Sequence, residues 1–286
     1  MSSFTHLVLT RFNVRVDAAW SRAATDPAWL EHRFALFDRY CYPSVRDQTA
    51  PSFRWLIFFD AQTPEPFRAR IADYARTPCL RPVFIERFDP AVVNHAIAES
   101  IEPGSTHLIS TRMDNDDALR LDHLALVQEQ FREQQREFVN FDRGYILRGA
   151  KLYENRHRSN AFASLIERLA PDGSFCTVWA WQHMKIADAG PVLHIPSPPA
   201  WLQIIHGKNV SNRVRGVRRR ADALADGFPF ALEGLRSRDS ALGVALDRAF
   251  LEPVRGVRDT IIALGRRARE ALQRRTPGAG ADATRD

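Results

Sequence analysis

Four residues, Asp114-Asn115-Asp116-Asp117, follow the apolar stretch His107–Met113 with no turn between them. Carboxylates at i and i+2 on a strand end can both reach one hard divalent cation, which takes oxygen ligands and shares them with substrate phosphates. Three like charges in four residues are unfavourable unless a cation or hydrogen bonds compensate them. An EF-hand loop is excluded, because its sixth and twelfth positions need Gly and Glu and hold Leu119 and Ala125 here. An aspartyl-phosphate motif of the D-x-D-x-T kind fails too, with Ala118 at the fifth position and three apolar strands upstream instead of none. A capping role stays open, since Asp116 or Asp117 would suit the start of a helix expected from Leu121.

Other polar residues end neighbouring apolar runs. Arg11 closes the first, Asp60 the second, and Arg112 stands just before the acidic cluster. In an open α/β sheet the carboxyl ends of the strands face the ligand crevice. A carboxylate to read a base or ribose, an arginine for phosphates and a metal-binding pair would then share one edge. That combination suits a nucleoside diphosphate.

The elements that must position these groups alternate. Strands are predicted at 5–12, 53–59, 82–85 and 107–113, with apolar and β-branched residues and few breakers. Helices are predicted at 29–40, ended by Pro43, at 65–76 after Thr63-Pro64, around 92–101 and at 121–135. Such alternation points to a parallel, right-handed α/β sheet. Between 137 and 205 shorter strand-like pieces appear at 145–147, 151–153, 177–181 and 192–195, and beyond Gly207 the pattern turns helical and basic.

The chain has 286 residues, 45% hydrophobic and 26% charged, which excludes disordered and fibrous classes. Its net charge of +6 is concentrated late: residues 207–286 hold 17 basic and 10 acidic side chains, against 23 and 24 before them. Only three of the 40 basic residues are Lys, and no aromatic stacking platform accompanies the arginines, so nucleic acid is not expected as a partner. No apolar run approaches the roughly 18 residues that span a bilayer. The first twenty residues lack a signal pattern, and three cysteines without C-x-x-C spacing suit a reduced compartment, so a cytoplasmic location is expected.

The chain resembles the GT-A nucleotide-sugar glycosyltransferases, and within them the bacterial rhamnosyltransferase family. The resemblance runs through Glu31-His32-Arg33-Phe34, Tyr42-Pro43-Ser44-Val45 with Gln48, and Phe53-Arg54-Trp55-Leu56-Ile57-Phe58-Phe59-Asp60. It continues through Thr111-Arg112-Met113-Asp114-Asn115-Asp116-Asp117-Ala118 and Trp201-Leu202-Gln203-Ile204-Ile205-His206-Gly207-Lys208-Asn209-Val210, covering about residues 4–216. It implies a GT-A, Rossmann-like, mostly parallel sheet flanked by helices in residues 1–215, with a nucleotide-sugar half at about 1–120 and an acceptor half at about 121–215. A helical basic extension at 216–275 and a disordered tail at 276–286 complete the expected organisation.

The same resemblance implies a nucleoside-diphosphate sugar donor. Asp114 and Asp116 would contact ribose, diphosphate and a Mn²⁺ or Mg²⁺ ion, with His206 as a third metal ligand. Asn115, Arg112, Lys208 and Asn209 would line the donor site, and Asp60 would read the base with Thr10 and Arg11 near it. Glycosyl transfer also needs a base for the acceptor hydroxyl of a glycan or glycoconjugate. The segment 178–185 holds no carboxylate, so His183 is the first candidate and Glu167, on an expected helix, the second. The basic C-terminal region allows peripheral contact with the inner face of a membrane. Two alternatives stand beside this reading. A nucleotidyltransferase would need a Gly-rich loop after the first strand, and Thr10–Arg15 contains no Gly. A non-catalytic nucleotide-sugar or glycan-binding protein would share the site without turnover.

Overall fold

The computed structural model describes residues 3–15, 24–207, 213–233, 235, 240–258, 260 and 264. A seven-stranded sheet forms the centre. Its first four strands are β1 (Phe4–Arg11), β2 (Arg54–Asp60), β3 (Leu80–Ile85) and β4 (His107–Arg112). Here β1 lies between β2 and β4, β3 lies outside β2, and all these pairs are parallel. Both faces are covered: Leu7, Val8, Leu9 and Trp55 to Phe59 are buried, as continuous apolar runs in a parallel sheet require. Chain order reverses between β1 and β4. That is the topological switch point, where the carboxyl ends of the strands open a ligand crevice.

Helices fill the three crossovers between these strands. α1 (Pro27–Leu36) is capped by Asp26, whose carboxylate accepts from the Trp29 amide at 2.7 Å, and it buries Leu30 and Phe34. Pro43 does not end this helical region as the spacing predicted. A π-turn at Phe37–Cys41 leads into α2 (Tyr42–Arg46), which takes Pro43 in its first turn, where a missing N–H costs nothing. α3 (Glu65–Tyr74) and α4 (Pro90–Ala98) fall close to their predicted positions.

The acidic cluster leads into a two-residue strand, β5 (Ala118–Leu119), instead of capping a helix. The helix expected at 121–135 is only α5 (His123–Gln128). Beyond it Phe131 packs on Phe4, and Glu133 adopts a positive φ of 59° that no helix accommodates. The central sheet then resumes with β6 (Arg136–Phe141) and is completed by β9 (Ser164–Arg168) and β10 (Val192–Ile195). β9 runs antiparallel between β4 and β6, while β10 pairs in parallel with β6.

A second, five-stranded sheet was not expected. It has the order β12-β8-β7-β11-β5, where β7 is Arg143–Arg148, β8 Lys151–Arg156, β11 Trp201–Ile205 and β12 Val217–Arg219. Trp201 joins the two sheets. Its indole N–H donates to the Phe141 carbonyl at 2.9 Å, and its ring stacks on Phe162. The ring also lies on Gly144, where a Cβ would come within 2.0 Å of it, so only glycine fits there.

The segment 177–181, predicted as a strand, is a 3₁₀ turn at Val178–Ala180. Its amides are taken by side chains: Thr177 N–H donates to Glu167 at 2.8 Å and Val178 N–H to Ser110 Oγ at 2.8 Å. Residues from 217 to 235 belong to the main body. Ala221, Leu224, Phe228, Ala231 and Leu235 share a core with Tyr145, Leu152 and Leu202. Beyond them α6 (Ala241–Leu246) continues through a π-turn at Asp247–Leu251 into further helix up to 258. The expected tail at 276–286 lies outside the described residues.

Candidate functional site

The chain leaves the large sheet at β4 and enters the small one at β5, and the four cluster residues span that crossing. Each has a different task. Asn115 is buried and donates to the Phe12 carbonyl at 2.9 Å, tying the cluster to the end of β1. Asp117 is buried and accepts the Ile204 amide at 2.8 Å, which fixes the end of β11 beside the cluster. Burial, with Asp116 and Asp114 close by, pushes its carboxyl well above the usual range. Asp114 is the accessible member, its side chain 44% exposed, and Arg112 approaches it at 3.3 Å.

Asp116 is the centre of the site. Its Oδ2 accepts from Arg33 Nη1 at 2.7 Å and from His206 Nε2 at 2.8 Å. Burial would raise its pKa, but the hydrogen bonds and positive charge from His206 and Arg33 outweigh that and hold it below the usual carboxylate range. His206 reaches Asp116 because Asp117 pins β11, and His206 follows that strand directly. Its Nδ1 lies 3.2 Å from His32 Nε2, and Arg33 stacks over Trp29 at 5.2 Å. Thus α1 delivers His32 and Arg33 to the carboxyl edge while its other face is buried in the core.

Three side chains at this edge are of types that could ligate a divalent ion. Asp116 Oδ2 and His206 Nε2 are neighbours, and the Asp114 carboxylate stands two residues away on the same edge. Two carboxylates and an imidazole suit Mn²⁺ better than the all-oxygen shells Mg²⁺ favours. As they stand, no three His, Cys, Asp or Glu side chains among the described residues are gathered as a metal site. The positive charge against Asp116 is instead Arg33, whose Nη1 also lies 3.4 Å from His206 Nε2. An ion shared by these residues therefore requires the guanidinium to move aside.

The remaining sequence-predicted residues divide into three groups. Arg11, Arg112 and His183 stand at the crevice. Arg11 is exposed at the end of β1 with its guanidinium over Phe88. His183 lies close enough to Arg112 and Asp114 to feel both, and burial together with Arg112 lowers its pKa against the opposing pull of Asp114. Thr10 and Asp60 support the site from inside. Thr10 is fully buried and accepts the Trp55 indole N–H at 2.9 Å. Asp60 is fully buried and spends its carboxylate on Arg15 Nε at 2.6 Å and the Gln62 amide at 2.7 Å, so its effect on a ligand runs through Arg15.

Glu167 does not reach the crevice. It lies on β9 rather than a helix, level with Leu108 near the start of β4, and both its oxygens accept amides, from Cys176 and Thr177. Roughly 13 Å of strand separates that level from Arg112. Lys208 and Asn209 lie outside the described residues.

Arg33 and His32 had been part of the motif Glu31-His32-Arg33-Phe34 but carried no assigned role. Arg33 is 83 residues from Asp116, and no local pattern announces such a pairing. Arg15, Asp142 and His194 were not signalled at all.

A family model described as "Putative rhamnosyl transferase" matches residues 3–218. A comparison with curated proteins gives no match. Among solved structures, the crystal structure of S. aureus TarS 1-349 in complex with UDP is 9% identical, with a TM-score of 0.41. The same TarS fragment without that description of a complex is 8% identical with a TM-score of 0.37. In both cases 70% of this chain is covered, and the chain spans 60% of the TarS structure. HddC from Yersinia pseudotuberculosis is 10% identical, covering 70% of this chain and 89% of its own, with a TM-score of 0.30.

Proposed function

The chain belongs to the rhamnosyl transferase family, and on that footing we propose that it moves a sugar, rhamnose by family, from a nucleoside-diphosphate donor to a glycan or glycoconjugate acceptor. The observation that carries this reading is the Arg33–Asp116–His206 cluster at the switch point between β1 and β4. Breaking the bond from the anomeric carbon to the diphosphate leaves negative charge on the leaving group. Preorganised cations in a partly dry site are worth more against that charge than in water.

Asp114 and Asp116 with His206 would hold a Mn²⁺ or Mg²⁺ ion, which supplies Lewis-acid neutralisation of the diphosphate when bound. Arg33, beside Asp116, and Arg112, beside Asp114, would add positive charge for the same phosphates. His183, its pKa lowered by burial and Arg112, would stand near the donor beside Arg112 and Asp114. Arg15, oriented by buried Asp60, stands at the rim after β1 where the nucleoside would lie.

Calorimetry with dTDP and UDP, each with and without Mn²⁺, tests the reading. Binding in the micromolar range, strengthened at least tenfold by Mn²⁺, is expected. Absence of binding to either nucleotide under both conditions defeats it.

The acceptor side of the reading includes a membrane surface. Among the described residues no helix is long and apolar enough to cross a membrane. Yet the helical stretch from 241 to 258 exposes Leu242 at 71%, Phe250 at 67%, and Leu246, Val254 and Val257 beside them. Their spacing of three and four places them on one stripe. Val244 and Asp247, both buried, face the body instead. An outward apolar stripe on the basic end of the chain fits the headgroup boundary of an anionic bilayer. Vesicles containing phosphatidylglycerol should retain the protein on flotation, and Leu242→Glu/Phe250→Glu should release it. Equal behaviour with purely zwitterionic vesicles, or no effect of the double substitution, counts against this contact.

A further inference from the structure

Glycosyl transfer needs the acceptor hydroxyl to lose its proton, and the donor-side residues above do not provide a well-placed base. Glu167 is remote from the edge. His183 lies beside Arg112 and Asp114 on the donor side of the edge, and among the described residues no hydrogen bond orients its ring.

A second constellation lies on the same carboxyl edge. Thr111 of β4 and Val139 of β6 both pair with Ser164 of β9, so Asp142, three residues beyond Val139, is level with Asp114. Two strand spacings, roughly 10 Å, separate β4 from β6. On the next strand, His194 of β10 sits in register with Asn140. His194 Nδ1 is 2.6 Å from Asp142 Oδ1, and Asn140 Nδ2 donates to the same oxygen at 2.9 Å. Arg156 Nη2 approaches the other oxygen at 3.4 Å and Arg158 Nε lies 3.9 Å from it. Burial opposes ionisation of Asp142, but the hydrogen bonds from His194 and Asn140 prevail and keep the carboxyl below its usual range.

An ionised Asp142 can only accept, so His194 carries its proton on Nδ1 and, in the neutral ring, presents a lone pair on Nε2. That Nε2 is neither buried nor hydrogen-bonded among the described residues, and the side chain is 27% exposed. A carboxylate behind one ring nitrogen fixes the tautomer and stabilises the imidazolium that forms when the other takes a proton.

We propose that His194, oriented by Asp142, is the general base that takes the acceptor's proton, an inference that rests on the glycosyltransferase reading. The acceptor O–H proton passes to His194 Nε2, and the acceptor oxygen forms the new bond to the anomeric carbon. The bond from that carbon to the diphosphate oxygen breaks, and its electron pair leaves with the nucleoside diphosphate. Asp142 is the positioning residue of the pair.

The test compares His194→Ala, Asp142→Asn and His183→Ala in the full-length protein. Donor turnover is measured with a panel of nucleoside-diphosphate sugars and alkyl glycosides as acceptors, and dTDP and UDP affinity by calorimetry. For His194→Ala, acceptor-dependent turnover should fall about 100-fold or more, with nucleotide affinity within twofold of the parent and partial recovery on adding imidazole. Asp142→Asn should lower turnover at least tenfold with the same unchanged affinity. Turnover of His194→Ala within threefold of the parent, or a loss that imidazole does not relieve, overturns the assignment. So does a larger, imidazole-rescued loss in a His183→Ala control. A parent protein that binds neither nucleotide and consumes no donor overturns the glycosyltransferase reading itself, a result separable from all of these.

Discussion

Asp116→Asn should reduce donor turnover by roughly 100- to 1,000-fold, the scale at which removing one preorganised electrostatic group acts. The substitution keeps the shape of the side chain and removes its charge. Arg33 and His206 then lose the negative charge of the oxygen they share at 2.7 and 2.8 Å, which leaves Arg33 without its counter-charge. The strengthening of dTDP or UDP binding by Mn²⁺ should disappear with it, because a neutral amide is a weak ligand for a hard cation. Arg33→Met provides the contrast. It removes the resident cation while keeping length and apolar contact with Trp29, and it should raise affinity for Mn²⁺ alone while lowering affinity for the nucleotide. Calorimetry on both variants, with turnover measured beside it, checks the pair. Unchanged turnover and nucleotide binding in Asp116→Asn would remove this cluster from the function.

Acid should destabilise the fold well above the pH at which carboxylates titrate. Burial, with a smaller contribution from His123, lowers the pKa of His6 to about 3, and burial lowers that of His123 to about 4. Each ring is held as a neutral tautomer. His6 Nδ1 faces the Gln128 amide at 3.1 Å and Nε2 faces Thr111 Oγ1 at 2.9 Å, while His123 Nδ1 donates to the Ala200 carbonyl at 2.9 Å with Nε2 buried and unpaired. The unfolded chain takes up these two protons below about pH 6.5 and the folded chain does not. Their contribution is therefore complete above that pH and is lost as the pH falls toward 4 and 3. At 1.4 kcal/mol per pH unit once the unfolded ring is fully protonated, each histidine removes about 2 kcal/mol between pH 6.5 and 4.5, a large part of the 5–15 kcal/mol typical of a domain. Urea unfolding at pH 7 and 4.5 measures the difference. The double variant His6→Gln/His123→Gln should be less stable at pH 7 yet show a flatter pH dependence. A slope as steep as in the parent would show that other groups govern acid unfolding.

Much of the scaffold was legible in the sequence, for reasons specific to each segment. Strands β1, β2 and β4 are buried on both faces, so their residues had to be apolar without interruption, and such runs between breakers are readable. Asp26-Pro27 and Asp89-Pro90 start helices through a side-chain cap and a preset φ, both local effects. Where structure depended on distant partners, the reading failed. Thr177–Trp181 has strand composition, but Glu167 and Ser110 claim its amides. Trp201–Ile205 reads as a strand, and nothing local says that it joins a second sheet with β5 and β7.

The candidate site divides along the same line. The acidic cluster and the histidine after β11 were recognisable because their types and order are local properties of the chain. Which aspartate does what was not. Asp114 faces solvent, Asp116 accepts from Arg33 and His206, and Asp117 is turned inward to hold Ile204, although the three stand within four residues. The sequence alone determined a parallel α/β sheet with carboxylates at its carboxyl edge, since burial pattern and strand ends are written in neighbouring residues. Only the tertiary structure decided that Arg33 neutralises Asp116 and that Asp142 orients His194. Ion pairing and proton affinity depend on distance and burial, and both are set by sheet order and helix packing between segments far apart along the chain.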